Sequence, residues 1–147
     1  MTAPSPDVVA EIGWSLAALW FDIDHNAGRA VTDFCTPDAS FTFDRRTVTG
    51  HAAIAAEYAT IAADPTLLAR HIMTNVTVAQ TGDGVRADSV VQYYSAPGPA
   101  PAVVGGPTMV GDVTDRWVPA GGHWLLADRR ITFVFVAPGA SFPIETA

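Results

Sequence analysis

An imidazole and a carboxylate held within hydrogen-bond reach form a proton-transfer pair, and this chain offers candidates for both. The imidazole is His71, inside the run Arg70-His71-Ile72-Met73-Thr74-Asn75-Val76-Thr77-Val78. The carboxylate is Asp22, inside Phe21-Asp22-Ile23-Asp24. With an ordinary pKa of about 6.5, imidazole both takes and gives a proton near neutral pH. A neighbouring carboxylate fixes its tautomer and strengthens it as a base. Facing an apolar cavity, such a pair can remove a proton next to a carbonyl and return it elsewhere. The outcome is dehydration, double-bond isomerisation or ring closure. Asn75 can donate to an enolate oxygen, and Tyr58 offers a second polar handle. Each residue also has a plainer reading. His71 can be a buried structural donor, Asp22 and still more Asp24 a solvated helix end, Asn75 an amide satisfying the backbone, and Tyr58 a core ring with its hydroxyl at the rim.

The elements around these residues follow from pattern. Ser5-Pro6-Asp7 starts a helix, with a capping side chain and proline where a missing N–H costs nothing. Ile12, Leu16, Leu19, Trp20 and Ile23 continue it at helical spacing over 7–24. Asp22 and Asp24 then fall in its last turn, where the helix dipole disfavours negative charge. A second short helix spans Ala27 to Phe34, a strand Ala39 to Arg45, and a third helix about 51–63 before Asp64-Pro65. The β-branched run holding His71 reads as a strand. Strict alternation puts His71, Met73, Asn75 and Thr77 on one face. Strands Val85–Tyr94, Thr108–Val118 and His123–Val136 complete a meander. The Pro/Gly-rich loop between Pro97 and Pro107 is expected over a pocket or a neighbouring subunit. The class is α+β, a single domain over 1–147: a curved, mainly antiparallel sheet wrapped around the N-terminal helices to enclose a cone-shaped apolar pocket.

Composition narrows the function classes. In 147 residues, 49% are hydrophobic and 16% charged, enough for a substantial core. A net charge of −7 disfavours nucleic acid and anionic membrane surfaces as partners. No apolar run reaches the length of a membrane span. The N-terminal residues lack the basic and apolar segments of a signal peptide, and the one cysteine, Cys35, reads as packing, so a cytoplasmic location is expected. His25, His51, His71 and His123 fall in separate elements without ligand spacing, and no glycine-rich phosphate loop precedes a helix. Neither a metal nor a cofactor is expected.

The chain resembles the nuclear transport factor 2-like superfamily, in particular its SnoaL-like polyketide cyclase and scytalone dehydratase branches. The landmarks span roughly residues 8–136: Phe21-Asp22, Pro37-Asp38-Ala39-Ser40-Phe41, Gly50, Arg70-His71 with Thr74-Asn75, and Trp124 with Arg129. The resemblance implies a mostly cofactor-free group of dehydratases, isomerases, cyclases, epoxide hydrolases and non-catalytic subunits. Asp22 and His71 match the acid and the histidine of scytalone dehydratase. Phe21 and Phe41 stand where that family has tyrosines, and Tyr93, Tyr94 and Ser95 where it has a further histidine.

The expectation is therefore a lyase, isomerase or cyclase with Asp22 and His71 catalytic. Its substrate is a hydrophobic carbonyl compound, polyketide- or steroid-like, lined by Asn75, Tyr58, Phe41, Met73 and Tyr93. A homodimer or homotrimer is the expected assembly. Two alternatives stay open. One is an epoxide hydrolase of the limonene epoxide hydrolase type, using Arg86, Asp88 and either Asp112 or Asp115. The other is a non-catalytic binding module resembling the small subunit of ring-hydroxylating dioxygenases. Alternation argues against the first, since Val85, Ala87, Ser89 and Val91 make the more apolar face and leave Arg86 and Asp88 outside. Arg129 is expected to pair with Asp128 within the sheet or to touch a polar group of the substrate.

Overall fold

The computed structural model describes residues 2–140 and Phe142. Helix α1 runs Pro6–Asn26, and a 3-10 turn at Val31–Phe34 leads into strands β1 (Cys35–Phe43) and β2 (Arg46–Thr49). Helix α2 (His51–Ala62) is followed by β3 (Leu67–Thr81), β4 (Gly84–Pro97), β5 (Met109–Ala120) and β6 (His123–Val136). The six strands form one open sheet in the order β2-β1-β6-β5-β4-β3. Every pairing is antiparallel except β1 with β6. The class is α+β, and the helices pack on the inner face of the sheet, where the core lies.

Two helices form where three were expected. The segment after α1 cannot continue it, because Ala27 and Gly28 both take positive φ (56° and 67°) and close the helix with left-handed geometry. A side chain at position 28 would meet the Tyr58 ring at 2.8 Å, so this position needs glycine for space as well as for φ. The expected strand 39–45 is longer at its start and turns at Asp44 (φ 52°) into β2, a short partner not foreseen.

At its N-terminus α1 begins as the capping pattern dictates: Ser5 Oγ accepts from the Val8 N–H at 3.4 Å, with Pro6 first in the helix. Its buried stripe, Ile12, Leu16, Leu19 and Trp20, meets inward residues of the strands, among them Val85, Ala87, Val91, Val113 and Leu126. The β3–β4 ladder carries an irregularity between Thr74 and Thr77. Before it His71 pairs with Tyr93 and Met73 with Val91; after it Val78 pairs with Ala87. The inward positions thus switch from odd to even numbers along β3, as an inserted residue requires. The loop between β4 and β5 leaves Val103 fully exposed, and none of residues 98–107 lines the cavity described next.

Candidate active site

The sheet and both helices enclose a cavity of about 390 Å³. Trp20, Phe43, Tyr58, Tyr93, Phe133 and Phe142 provide its aromatic wall, and His71 with Asp24 its polar corner. The carboxylate that meets His71 is Asp24. Its Oδ1 lies 2.6 Å from His71 Nδ1, and its Oδ2 accepts the His71 backbone N–H at 2.7 Å. The expected contact with Asp22 is not made. Residues two apart on a helix point to opposite sides, so only one of the two acids can face β3. Asp22, itself buried, accepts from Asn26 Nδ2 at 2.7 Å and from the Ala30 N–H at 2.9 Å. It fastens the end of α1 to the turn that follows.

The grip of Asp24 on His71 has a backbone cause. β3 is an edge strand, so its outward N–H groups have no neighbouring strand to bond. The last turn of α1 lies against this edge, and one carboxylate satisfies both the orphaned N–H and the ring. Arg70 Nη1 donates to the Asp24 backbone oxygen at 3.3 Å, placing positive charge beside the helix C-terminus. The Asp24 side chain is 6% exposed and that of His71 17%.

A carboxylate only accepts hydrogen bonds, so Nδ1 carries the proton of the neutral imidazole. Nε2 is left with the lone pair, and no described residue bonds it. Trp20 stacks on the imidazole at 4.7 Å between centroids and Tyr93 lies at 4.8 Å. Two rings cannot share one face at those distances, so His71 lies between them. Burial pushes the Tyr93 phenol above its ordinary value, aided by the Asp24 charge and opposed by the Ser95 hydroxyl. The Tyr58 phenol is raised further, again by burial first. Both rings therefore stay protonated and able to donate at neutral pH.

Of the remaining expected site residues, Tyr58 and Tyr93 line the cavity. Asn75 does not: it sits exposed at the β3 irregularity with φ 55°, where alternation from His71 is broken. Phe41 is fully buried beneath the cavity, against Arg129. Met73 lines a separate crevice between α1 and β3, which also reaches Asp24 and His71. Sequence reasoning missed Asp24, Trp20 and Phe142. The signal for the first two was present, since Leu16, Trp20 and Asp24 fall at four-residue steps on one helix face.

Arg129 pairs with Asp115 across β5 and β6, not with Asp128. The fork is bidentate, 2.8 Å from Nε and 2.7 Å from Nη2, with Arg129 0% and Asp115 1% exposed. Arg86 and Asp88 bond each other on the outer face at 2.8 Å. Asp115 points inward, and the exposed Asp112 bonds neither Arg86 nor Asp88, so the carboxylate–arginine–carboxylate cluster of the epoxide hydrolase alternative does not assemble. Among the described residues no three metal-ligating side chains converge, and no helix is long and apolar enough to cross a membrane.

Residues 8–130 match the family model of the SnoaL-like domain. The chain belongs to that family. No curated protein matches this SnoaL-like chain in sequence. Among solved structures it is similar to Aln2 from a Streptomyces species, with TM-score 0.78 and 20% identity over 90% of this chain and 94% of that one. It is similar also to a putative scytalone dehydratase from Novosphingobium aromaticivorans, with TM-score 0.77 and 15% identity over 95% and 94%. A protein from Catenulispora acidiphila in complex with S-DNPA has TM-score 0.73 and 23% identity over 86% and 93%. At these identities the likeness is one of fold, the NTF2-like cone. The cone of this SnoaL-like chain keeps its polar corner where α1 meets the free edge of β3.

Proposed function

We propose that this SnoaL-like protein is a cofactor-independent acid/base enzyme acting on a hydrophobic, carbonyl-bearing small molecule of polyketide- or steroid-like character. The observation that carries the reading is the Asp24–His71 contact at the wall of an apolar cavity. Asp24 holds His71 with its proton on Nδ1, and Nε2 takes a proton from the carbon next to the substrate carbonyl. The neutral phenols of Tyr58 and Tyr93 donate to the oxygen that becomes negative. The resulting imidazolium returns the proton to a leaving hydroxyl, to another carbon, or to the alkoxide oxygen formed when the enolate carbon attacks a second carbonyl of the same substrate. That is dehydration, isomerisation or cyclisation respectively. That the Catenulispora protein of similar fold is in complex with S-DNPA supports ligand binding by this fold.

Enolisation is common to all three outcomes and can be tested without the natural substrate. The probe is 2-tetralone, an aromatic ketone, followed by NMR in deuterium oxide for exchange of its α-protons. Exchange above the buffer rate is expected, with loss in His71→Gln and a strong fall in Asp24→Asn. If 2-tetralone binds with unchanged exchange, the cone is a binding site without this chemistry.

A further inference from the structure

Beneath the cavity, Arg129 and Asp115 form a fully buried ion pair that does not touch the cavity. Such pairs add little net stability compared with apolar packing, because desolvation offsets their attraction. This one also leaves Arg129 Nη1 without a protein partner among the described residues, and the same holds for Trp20 Nε1. The location is more informative than the energy. The guanidinium carbon sits 4.7 Å from the Trp20 ring centroid and 5.6 Å from that of Phe41. The same Trp20 ring stacks on the His71 imidazole at 4.7 Å. Asp115, Arg129, Trp20 and His71 thus form a continuous series of contacts from the sheet interior to the proton-moving group.

We propose that Trp20 is a positioning residue for His71 and that the Asp115–Arg129 pair is its brace. A planar guanidinium, fixed in orientation by a bidentate carboxylate, holds an aromatic plane against it far better than a flexible aliphatic chain can. The indole so held closes one face of the imidazole, while Tyr93 covers the other. The ring is confined to the orientation in which Nδ1 meets Asp24 and Nε2 remains free. This rests on the reading of Asp24 and His71 as the proton-moving pair.

The test is NMR of His71 in ligand-free, 15N-histidine-labelled protein, at a pH where the imidazole is neutral. Two signals are read: the ring-current shift of its carbon-bound protons and the nitrogen carrying the N–H. Both are read without substrate, so failure of 2-tetralone exchange leaves them untouched. In Trp20→Leu the upfield ring-current shift is expected to fall to the part that Tyr93 supplies, and an Nε2–H form to appear beside the Nδ1–H form. Trp20→Phe restores both parent signatures. The double variant Asp115→Leu/Arg129→Met, which removes the buried charges together, is expected to reproduce the Trp20→Leu pattern in part although Trp20 is present. A double variant with parent-like His71 signals overturns the brace. A Trp20→Leu protein retaining only the Nδ1–H form overturns the positioning role. Should Trp20→Leu fail to fold, the double variant and Trp20→Phe decide the matter.

Discussion

Two carboxylate–cation pairs among the described residues, Asp115–Arg129 and Asp24–His71, differ in what the cation can become. Asp115 and Arg129 lie under the cavity, shut off from solvent, with a cation that no accessible pH discharges. Asp24 and His71 lie at the cavity wall, with an imidazole that can be neutral or charged and one nitrogen left without a partner among the described residues. The first pair can hold neighbours in place but cannot exchange a proton with a ligand. The second is built from a helix end and a free strand edge, and it can. Burial alone therefore points to Asp115–Arg129, whereas a free nitrogen on a cavity wall points to Asp24–His71, the pair proposed to move the proton.

The largest effect separating the two pairs is expected in activity. His71→Gln should lower the rate of 2-tetralone exchange by about 100- to 10,000-fold, the usual worth of a positioned acid/base, with little change in unfolding free energy. Arg129→Met should act chiefly on stability, with only a partial fall in exchange as the brace on Trp20 is lost. It strands the buried Asp115 charge and is expected to cost about 3–5 kcal/mol in urea unfolding. Adding Asp115→Leu should recover most of that loss, and if the double variant is no more stable than the single one, the buried pair is itself a source of stability.

A smaller effect is expected from Gly28→Ala. Its Cβ would press on the Tyr58 ring from a backbone of positive φ, destabilising by about 1–3 kcal/mol and weakening 2-tetralone binding in a titration. Asp22→Ala should cost about 1–2 kcal/mol through two lost hydrogen bonds, and should leave the exchange rate near the parent's. The effect smallest near neutral pH belongs to Cys35, near the deep pair. Burial raises its thiol to about 12, with the Arg129 charge lowering it and the Asp115 charge raising it. The unfolded thiol ionises first as pH rises, so the folded state binds more protons in that interval and loses stability from roughly pH 9 towards 12. Native protein should accordingly resist iodoacetamide at pH 8.5, and Cys35→Ala should remove that part of the alkaline loss.

Much of the architecture was legible because local pattern and global fold agree. Ser5-Pro6 caps α1, Asp64-Pro65 follows the end of α2, and alternation in β4 sends Val85, Ala87, Ser89 and Val91 inward. Other site details were not, Phe41 and Met73 among them; of the three with a plain cause, two each trace to one inserted or skipped residue. Irregular pairing near Asn75 reverses the face of β3, so the amide leaves the side that His71 faces. A similar shift between Arg116 and Trp117 sets Asp115 opposite Arg129, where strict pairing back from the Gly121-Gly122 turn would set it opposite Asp128. The third, Asp22 in place of Asp24, is a matter of helical phase. Counting by four from Leu16 through Trp20 reaches Asp24, and that count needs only the sequence.

The claim on which the mechanism depends is that Asp24, and not Asp22, holds His71 with its proton on Nδ1. Long-range 1H–15N NMR of the neutral His71 ring measures this directly in the parent, Asp24→Asn and Asp22→Asn. The expected result is an Nδ1–H imidazole in the parent and in Asp22→Asn, and loss of that tautomer's dominance in Asp24→Asn. An Nε2–H imidazole in the parent, or a tautomer that responds to Asp22 and ignores Asp24, would contradict it.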